Sequence, residues 1–296
     1  MPKIQKSEGL NIALSNGSLE ENIRKIFEEA YLRIEKDSRN HTARIRSSLF
    51  SRVTFMRPQH IPKLVENGTY DLGICGFDCV MESEATVAVV TKLLIGRGNS
   101  NGEAKVVLVT GGDDHVAEIP AGAVVLSEYP DFTRRVLCDS VEVRFSYGGT
   151  EAHIPGDYKH GVCLTDTGES LEKNGLKIQQ VLLDTYTALI ADISAWNGEK
   201  AETIKAVREL LLGALAARER VLLKMNVSTE KKVEVLALLP ALKKPTVSPL
   251  ADGKSFAIET VVQKKEANGI IVKVAQAGAE GILVLPITSM IQGWYL

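Results

Sequence analysis

The densest chemistry in the chain lies at Thr165, Asp166, Thr167, Gly168, Glu169, Ser170 and Leu171, where hydroxyls, carboxylates and a glycine follow an apolar run at 162–164. The apolar run reads as a buried strand, and the residues from Gly168 onward read as a helix. The first turn of a helix leaves backbone N–H groups without partners, and these can hold an anion such as a phosphate without any lysine. Gly168 lets the backbone approach a ligand, and the hydroxyls of Thr167 and Ser170 can donate to phosphate oxygens. Asp166 and Glu169 add hydrogen-bond acceptors. A plain helix cap, with Asp166 or Thr167 closing the helix and nothing bound, is the competing reading.

Other reactive side chains are harder to assemble. Cys75 and Cys79 are four apart, but neither Cys138 nor Cys163 adds a second pair at zinc-site spacing, so reduced thiols are expected. His153 and His160 could exchange protons near neutral pH, yet no partner is identifiable, and surface or core histidines fit them as well.

The elements that must position the loop alternate between strand and helix. Strands are expected at 10–14, 53–56, 72–75, 105–110, 123–127, 141–145, 160–165 and 179–187. Helices are expected at 19–34, with Ser18 and Glu21 at capping-box spacing, and at 61–66, 131–138 and 168–174. Residues 96–102 (GRGNSNG) read as a loop. This alternation implies an α/β protein with largely parallel sheets, its ligand loop at the carboxyl end of a strand. The long helix at 199–220 precedes a change of grammar. Beyond it, strand 222–227, helix 229–238, strands 246–248 and 256–262, helix 264–277 and strand 281–286 spell β-α-β-β-α-β, a ferredoxin-like α+β domain.

The chain's 296 residues, 45% hydrophobic and 24% charged with a formal net charge of −2, give room for two or three folded units. That balance supplies no footprint for nucleic acid or an anionic membrane, so a phosphate-rich ligand must be gripped locally. No apolar run nears the ~20 residues that cross a bilayer. The opening MPKIQKSEGLNIAL lacks a signal-peptide pattern, so a cytoplasmic protein is expected.

Five ordered segments resemble the long form of ATP phosphoribosyltransferase. They are LNIALSNGSL at 10–19, RPQHIPKLV at 57–65 with DLGICGFD at 71–78, SEYPDFTRR at 127–135, TGESLEKNGL at 167–176, and the C-terminal ALLPALKKPTVSPL with GAEGILVLPI at 278–287. The resemblance implies two periplasmic-binding-protein-like α/β domains with the active site in the cleft between them. It also implies an ACT-like C-terminal domain that binds a histidine effector. On this chain those divisions are 1–104 with 187–220, then 105–186, then 221–296.

The implied reaction is transfer of a phosphoribosyl group from phosphoribosyl pyrophosphate to a ring nitrogen, with ATP as acceptor and Mg²⁺ accompanying the pyrophosphate. The implied donor grip is Asp166, Thr167, Gly168, Glu169, Ser170 and Leu171. The implied acceptor cleft is Ser15, Asn16, Gly17, Arg57, Asp71, Gly73, Gly76, Glu128, Tyr129 and Glu151. Asn226, Leu242, Lys244, Thr246 and Gly281 fall at the effector site, and metal ligands are not identifiable. Homo-oligomers, dimers or hexamers, are implied as well.

The sequence departs from the family at telling places. The opening turn, P-K-G-R in the family, is here Ser15, Asn16, Gly17 and Ser18, without either cation. Each such cation is worth ~1.5–3 kcal/mol in charge-assisted hydrogen bonds. Cys163 stands where the family commonly has an aspartate, and His160 stands where an acid is expected. Asn226 replaces an aspartate that would hold the effector's ammonium, which argues against feedback by histidine. Arg57, Lys159, Arg134 or Arg135 could restore the missing charge. The alternatives are a divergent paralogue with another acceptor, or a non-catalytic member of the family.

Overall fold

The computed structural model describes residues 9–36, 42–96, 102–111, 119–137, 141–240 and 244–291. Cys138, Leu242 and most of the 96–102 loop lie outside the described residues. The chain forms two compact units: one holds the described residues up to Glu28 and Leu32–Arg208, the other Glu29–Tyr31 and the described residues from Glu209 onward.

The first unit begins with β1 (Leu10–Ser15), α1 (Glu20–Glu29), β2 (Ile34–Lys36), β3 (Thr42–Ile45), β4 (Phe50–Met56), α2 (Ile61–Glu66), β5 (Leu72–Gly76), α3 (Phe77–Ser83) and β6 (Ala88–Leu93). It continues through β7 (Glu103–Gly111), β8 (Val124–Ser127), α4 (Pro130–Leu137), β9 (Glu142–Phe145), β10 (His160–Thr165), α5 (Glu169–Lys173), β11 (Leu176–Ala191), α6 (Ile193–Asn197) and the first part of α7 (Ala201–Arg218), whose residues from Glu209 onward belong to the second unit. Its sheet runs β2-β3-β4-β1-β5-β11-β7-β10-β8-β9, with β6 also on β11.

β1 lies between parallel neighbours β4 and β5, and Leu10, Ile12, Ala13 and Leu14 are fully buried. That is the continuous apolar run of a strand covered on both faces. β11 is the spine. Leu176–Tyr186 pairs with β7, and Thr187–Ala191 pairs with β5 and β6. One strand therefore serves both halves of the unit and changes partners between Tyr186 and Thr187.

Alternate residues of β7 and β10 supply two cores, as the strand period of two requires. Val106, Leu108 and Val162 pack with Tyr129 and Phe132 on one face; Val107, Val109 and Cys163 pack with Leu171 and Leu176 on the other. Leu171 thereby pins the helix that follows the hydroxyl-rich loop.

The sheet is mixed rather than largely parallel, because β10 and β11 run against β7, and β11 also runs against β5. Apolar spacing reports burial but carries no direction. α1 ends at Glu29, five residues short of the expected end. Tyr31 is left-handed at φ 59, and the Leu32 amide donates to Phe27 O at 2.7 Å, a Schellman-type stop. Ile34, whose spacing extended the helical pattern, belongs to β2. Ser18 lies inside a 3₁₀ turn at Gly17–Leu19 and not at a helix cap.

The second unit contains β12 (Arg220–Ser228), α8 (Lys232–Leu238), β13 (Thr246–Pro249), β14 (Ser255–Gln263), α9 (Lys264–Gln276) and β15 (Glu280–Pro286). Its antiparallel sheet has the order β13-β14-β12-β15, the ferredoxin-like arrangement. Leu223, Met225, Ile258, Val262, Ala267 and Val274 fill its core.

Candidate active site

A pocket opens in the first unit where several strands end. Pro58 follows β4, Gly76 closes β5, and Leu164 and Asp166 straddle the end of β10; Thr185, Tyr186 and Thr187 mark the partner change of β11. Its empty space is about 440 Å³, counting the part open to solvent. The walls carry the carboxylates of Asp78 and Asp166 but, among the described residues, neither lysine nor arginine.

Asp166 brings the hydroxyl-rich loop to this pocket. Gly168 is left-handed at φ 85 and precedes α5. Its amide donates to Thr165 Oγ1 at 3.0 Å, and the Glu169 amide donates to Thr167 Oγ1 at 3.4 Å. Local hydroxyls therefore take two of the loop's amides. α5 is only five residues long, so its macrodipole is smaller than expected of a full helix. A phosphate here would rest on individual groups: the exposed side chains of Thr167 and Ser170, and the Ser170 amide, which has no partner among the described residues.

The loop meets a second acidic cluster. Ser170 Oγ donates to Glu151 Oε1 at 3.4 Å, and Thr150 Oγ1 donates to Glu128 Oε1 at 3.2 Å. Burial, reinforced by the charges of Glu128 and Glu151, pushes the Cys163 thiol up to about 12. A carboxylate at 163 would be a third acid in that field. The thiol stays neutral.

Asp78 is a buried carboxylate that the sequence reading did not single out. Thr185 Oγ1 donates to Asp78 Oδ1 at 2.9 Å, and Tyr129 Oη donates to Oδ2 at 3.0 Å. The Asp78 amide returns a bond to Thr185 Oγ1 at 2.9 Å. Tyr129 is itself buried, and burial together with the Asp78 charge holds its hydroxyl protonated well above the ordinary tyrosine range. The ring packs in the core beside Phe132 and is not on the wall of this pocket, and of the hydroxyl-rich loop only Asp166 is. Burial, then Asp78, likewise pushes the Cys75 thiol upward.

Asp71 also departs from the expected acceptor wall. Its carboxylate is held by Lys200 Nζ at 2.9 and 3.0 Å and by the Asn11 amide at 2.8 Å. It precedes β5 while Gly76 ends that strand, and five residues span about 17 Å. Asp71 therefore braces the opposite end of a central strand. Gly73 is a packing glycine: a Cβ there would meet Ile61 Cγ2 at 2.4 Å. Only Gly76 of this group reaches the pocket.

The opening turn is close by, since Leu19 lines the pocket. Ser15 is fully buried and donates to Ile74 O at 2.8 Å; the Asn16 amide donates to Met56 O at 2.9 Å, and Gly17 is left-handed at φ 75. Asn16 Oδ1 is buried with no partner among the described residues. Arg57 is exposed beside Pro58, without an ion-pair partner among the described residues. Arg134 pairs with Asp131, and Arg135 pairs with Glu84. Lys159 sits ahead of β10, at the opposite end from the loop.

His153 is an exposed partner of Asp157 at 3.0 Å, and His160 is a core residue whose basicity burial lowers. No three His, Cys, Asp or Glu side chains converge as metal ligands among the described residues. In the second unit, Asn226 lies beside Gly281, whose added Cβ would stand 3.7 Å from Asn226 Nδ2. Thr246, on β13, is two strands away from β12, about 10 Å, with Lys244 just before it, so the expected effector residues do not all gather. No helix of the described residues is long and apolar enough to cross a membrane.

Comparison with known proteins adds the following. Residues 57–213 match the family described as ATP phosphoribosyltransferase, and residues 217–289 match the HisG C-terminal domain. An ATP phosphoribosyltransferase of Desulforudis audaxviator is 35% identical over 288 residues, covering 95% of this chain and 99% of its own length. ATP phosphoribosyltransferase 1 of Geobacter sulfurreducens is 34% identical over 294 residues, with coverage of 95% and 99%. An ATP phosphoribosyl transferase (HisG:HisZ) complex from Thermotoga maritima is similar in fold. Its TM-score is 0.58 at 22% identity, over 69% of this chain and 96% of that one.

Proposed function

The chain belongs to the ATP phosphoribosyltransferase family, and from that membership we propose that its pocket transfers phosphoribose from phosphoribosyl pyrophosphate to a ring nitrogen of ATP, the first step of histidine biosynthesis. The observation that carries this reading is Asp166, which joins the hydroxyl-rich loop to the pocket. We take the donor's 5-phosphate to lie against Thr167, Ser170 and the Ser170 amide. Glu151, which the loop's Ser170 hydroxyl reaches, and Glu128, which the neighbouring Thr150 hydroxyl reaches, accept hydrogen bonds from the ribose hydroxyls. The lobes on either side would be 1–104 with 187–220, and 105–186; residues 221–296 form the ACT-like domain.

In the reaction the C1–O bond to pyrophosphate breaks and a C1–N bond forms. The nucleophile is a neutral ring nitrogen, so no strong base is needed, and negative charge accumulates on the leaving group. Catalysis then rests on holding the reactants in line and on stabilising that charge. The family reaction uses a metal ion, which we take to be Mg²⁺ carried in on the pyrophosphate. Such an ion needs only one or two protein carboxylates, and Asp166 supplies one on the pocket wall. When bound it screens the leaving group's charge. Arg57, exposed and unpaired among the described residues, is the cation we assign to the role the opening turn has lost. We place the enzyme in the cytoplasm as a homo-oligomer, a dimer or a hexamer.

A second reading has one observation behind it: among the described residues, the pocket walls carry no lysine or arginine. It makes the chain a paralogue with a less anionic acceptor, or a member that binds donor without turnover. Pyrophosphate release separates the two. With phosphoribosyl pyrophosphate, Mg²⁺ and a panel of nitrogen acceptors, the first reading expects release with ATP. Release with another acceptor, or none, favours the second.

A further inference from the structure

We infer that Asp78 is a positioning residue for this transfer, fixing the two halves of the pocket against each other through the hydroxyls of Thr185 and Tyr129. The inference rests on the phosphoribosyl-transfer reading above. Asp78 lies in α3, directly after β5, and is only 7% exposed. No lysine or arginine pairs with it among the described residues. A buried carboxylate without a cation needs strong donors, and here they come from three parts of the unit. Thr185 stands on β11 just before its change of partners. Tyr129 stands just before α4, packed on β7 and β10, so both hydroxyls come from the β7 half while Asp78 follows β5. Cys79 Sγ adds a weak donor at 3.6 Å.

The surroundings favour a placed carboxylate over an incidental one. Gly76, Asp78, Asp166 and Thr185 line the same pocket. Gly76 leaves the space that the Asp78 carboxylate fills, since an added Cβ would lie 2.3 Å from Oδ1. Outside the buried network, the same two helices are fastened again. Glu82, at the end of α3, accepts from the Asp131 and Phe132 amides at 3.1 and 2.8 Å, and Arg135 pairs with Glu84 at 2.7 Å. The seam between α3 and α4 is therefore held by several bonds, and Asp78–Tyr129 is the one that reaches the pocket wall.

If the donor loop sits on one side of this seam and the acceptor on the other, loosening the seam leaves each partial site intact but misaligns them. Misplacement by ~1 Å costs about 100-fold in rate. Such a change lowers kcat while both KM values stay put. The test uses full-length Asp78→Ala, Asp78→Asn, Thr185→Val and Tyr129→Phe, with pyrophosphate release under saturating donor and ATP. Rates are divided by the fraction of chains that bind donor in a calorimetric titration.

The expected result is a fall of about 100-fold for Asp78→Ala and about tenfold for Thr185→Val and Tyr129→Phe, with each KM within about twofold. Asp78→Asn, which keeps one acceptor oxygen, should recover part of the loss. A purely structural role would lower the binding-competent fraction and leave the normalised kcat unchanged, and that result overturns the inference. If Asp78→Ala does not fold, Thr185→Val and Tyr129→Phe decide by the same criterion. Absence of any turnover by the unaltered protein would instead overturn the transfer reading, and this inference with it.

Discussion

Gly76 and Asp78 are mutually dependent: any side chain at 76 would begin 2.3 Å from the Asp78 carboxylate oxygen that receives Thr185. Gly76→Ala must therefore push Asp78 off its hydroxyl partners. Overpacking of this kind costs about 1–3 kcal/mol. Denaturant unfolding should show a loss of that size, with pyrophosphate release reduced at least as far as in Tyr129→Phe.

Lys200 offers the opposite case. It neutralises Asp71, whose residue is only 8% exposed, at the end of β5 remote from the pocket. Lys200→Met leaves that carboxylate unpaired. Breaking a fully buried pair costs ~3–5 kcal/mol. Lys200 keeps 30% of its side chain in solvent, so a loss of about 1–3 kcal/mol is expected. Turnover per folded molecule should match the unaltered protein.

The buried thiols set a limit at high pH. Burial raises Cys163 from 9.0 to about 12 and raises Cys75 as well, so both stay protonated in the fold. An unfolded chain ionises them from about pH 9, binding fewer protons than the native state there. Stability is thus intact below pH 9 and falls as pH climbs from 9 toward 12, by at most about 1.4 kcal/mol per pH unit per thiol. Cys163→Ser should flatten that decline in unfolding measurements made across the window.

Histidine feedback should be weak. Asn226 carries no charge for an effector ammonium, and Thr246 lies two strands away from it in the sheet. Turnover at millimolar histidine should stay close to the uninhibited rate, and strong inhibition would refute this assignment.

Motifs and strands declared themselves where one physical demand dominated. β1 reads directly as a strand because both its faces are covered, whereas the β-α-β-β-α-β order of the C-terminal unit requires taking 246–248 as a strand, since β13 is exposed along its length and has no apolar period. Strand direction did not show, because β7 and β11 carry the same alternation whichever way they run. α3 was missed because FDCVMES is too short for a periodicity and follows directly on the last residue of a strand. At the site, Asp166 was legible from its neighbours in sequence. Asp78 was not, because its partners Tyr129 and Thr185 are 51 and 107 residues away. Asp71, in the same motif, drew attention instead, and its partner Lys200 is 129 residues distant.

The central claim is that residues 166–171 hold the phosphate end of a phosphoribosyl donor. Calorimetric titration of phosphoribosyl pyrophosphate with Mg²⁺ into the unaltered protein and into Thr167→Ala/Ser170→Ala tests it most directly. Loss of two hydroxyl donors to a charged group, at ~1.5–3 kcal/mol each, should weaken binding by about 100-fold or more. No binding of the donor at millimolar concentration, or equal affinity in the two proteins, would contradict the account.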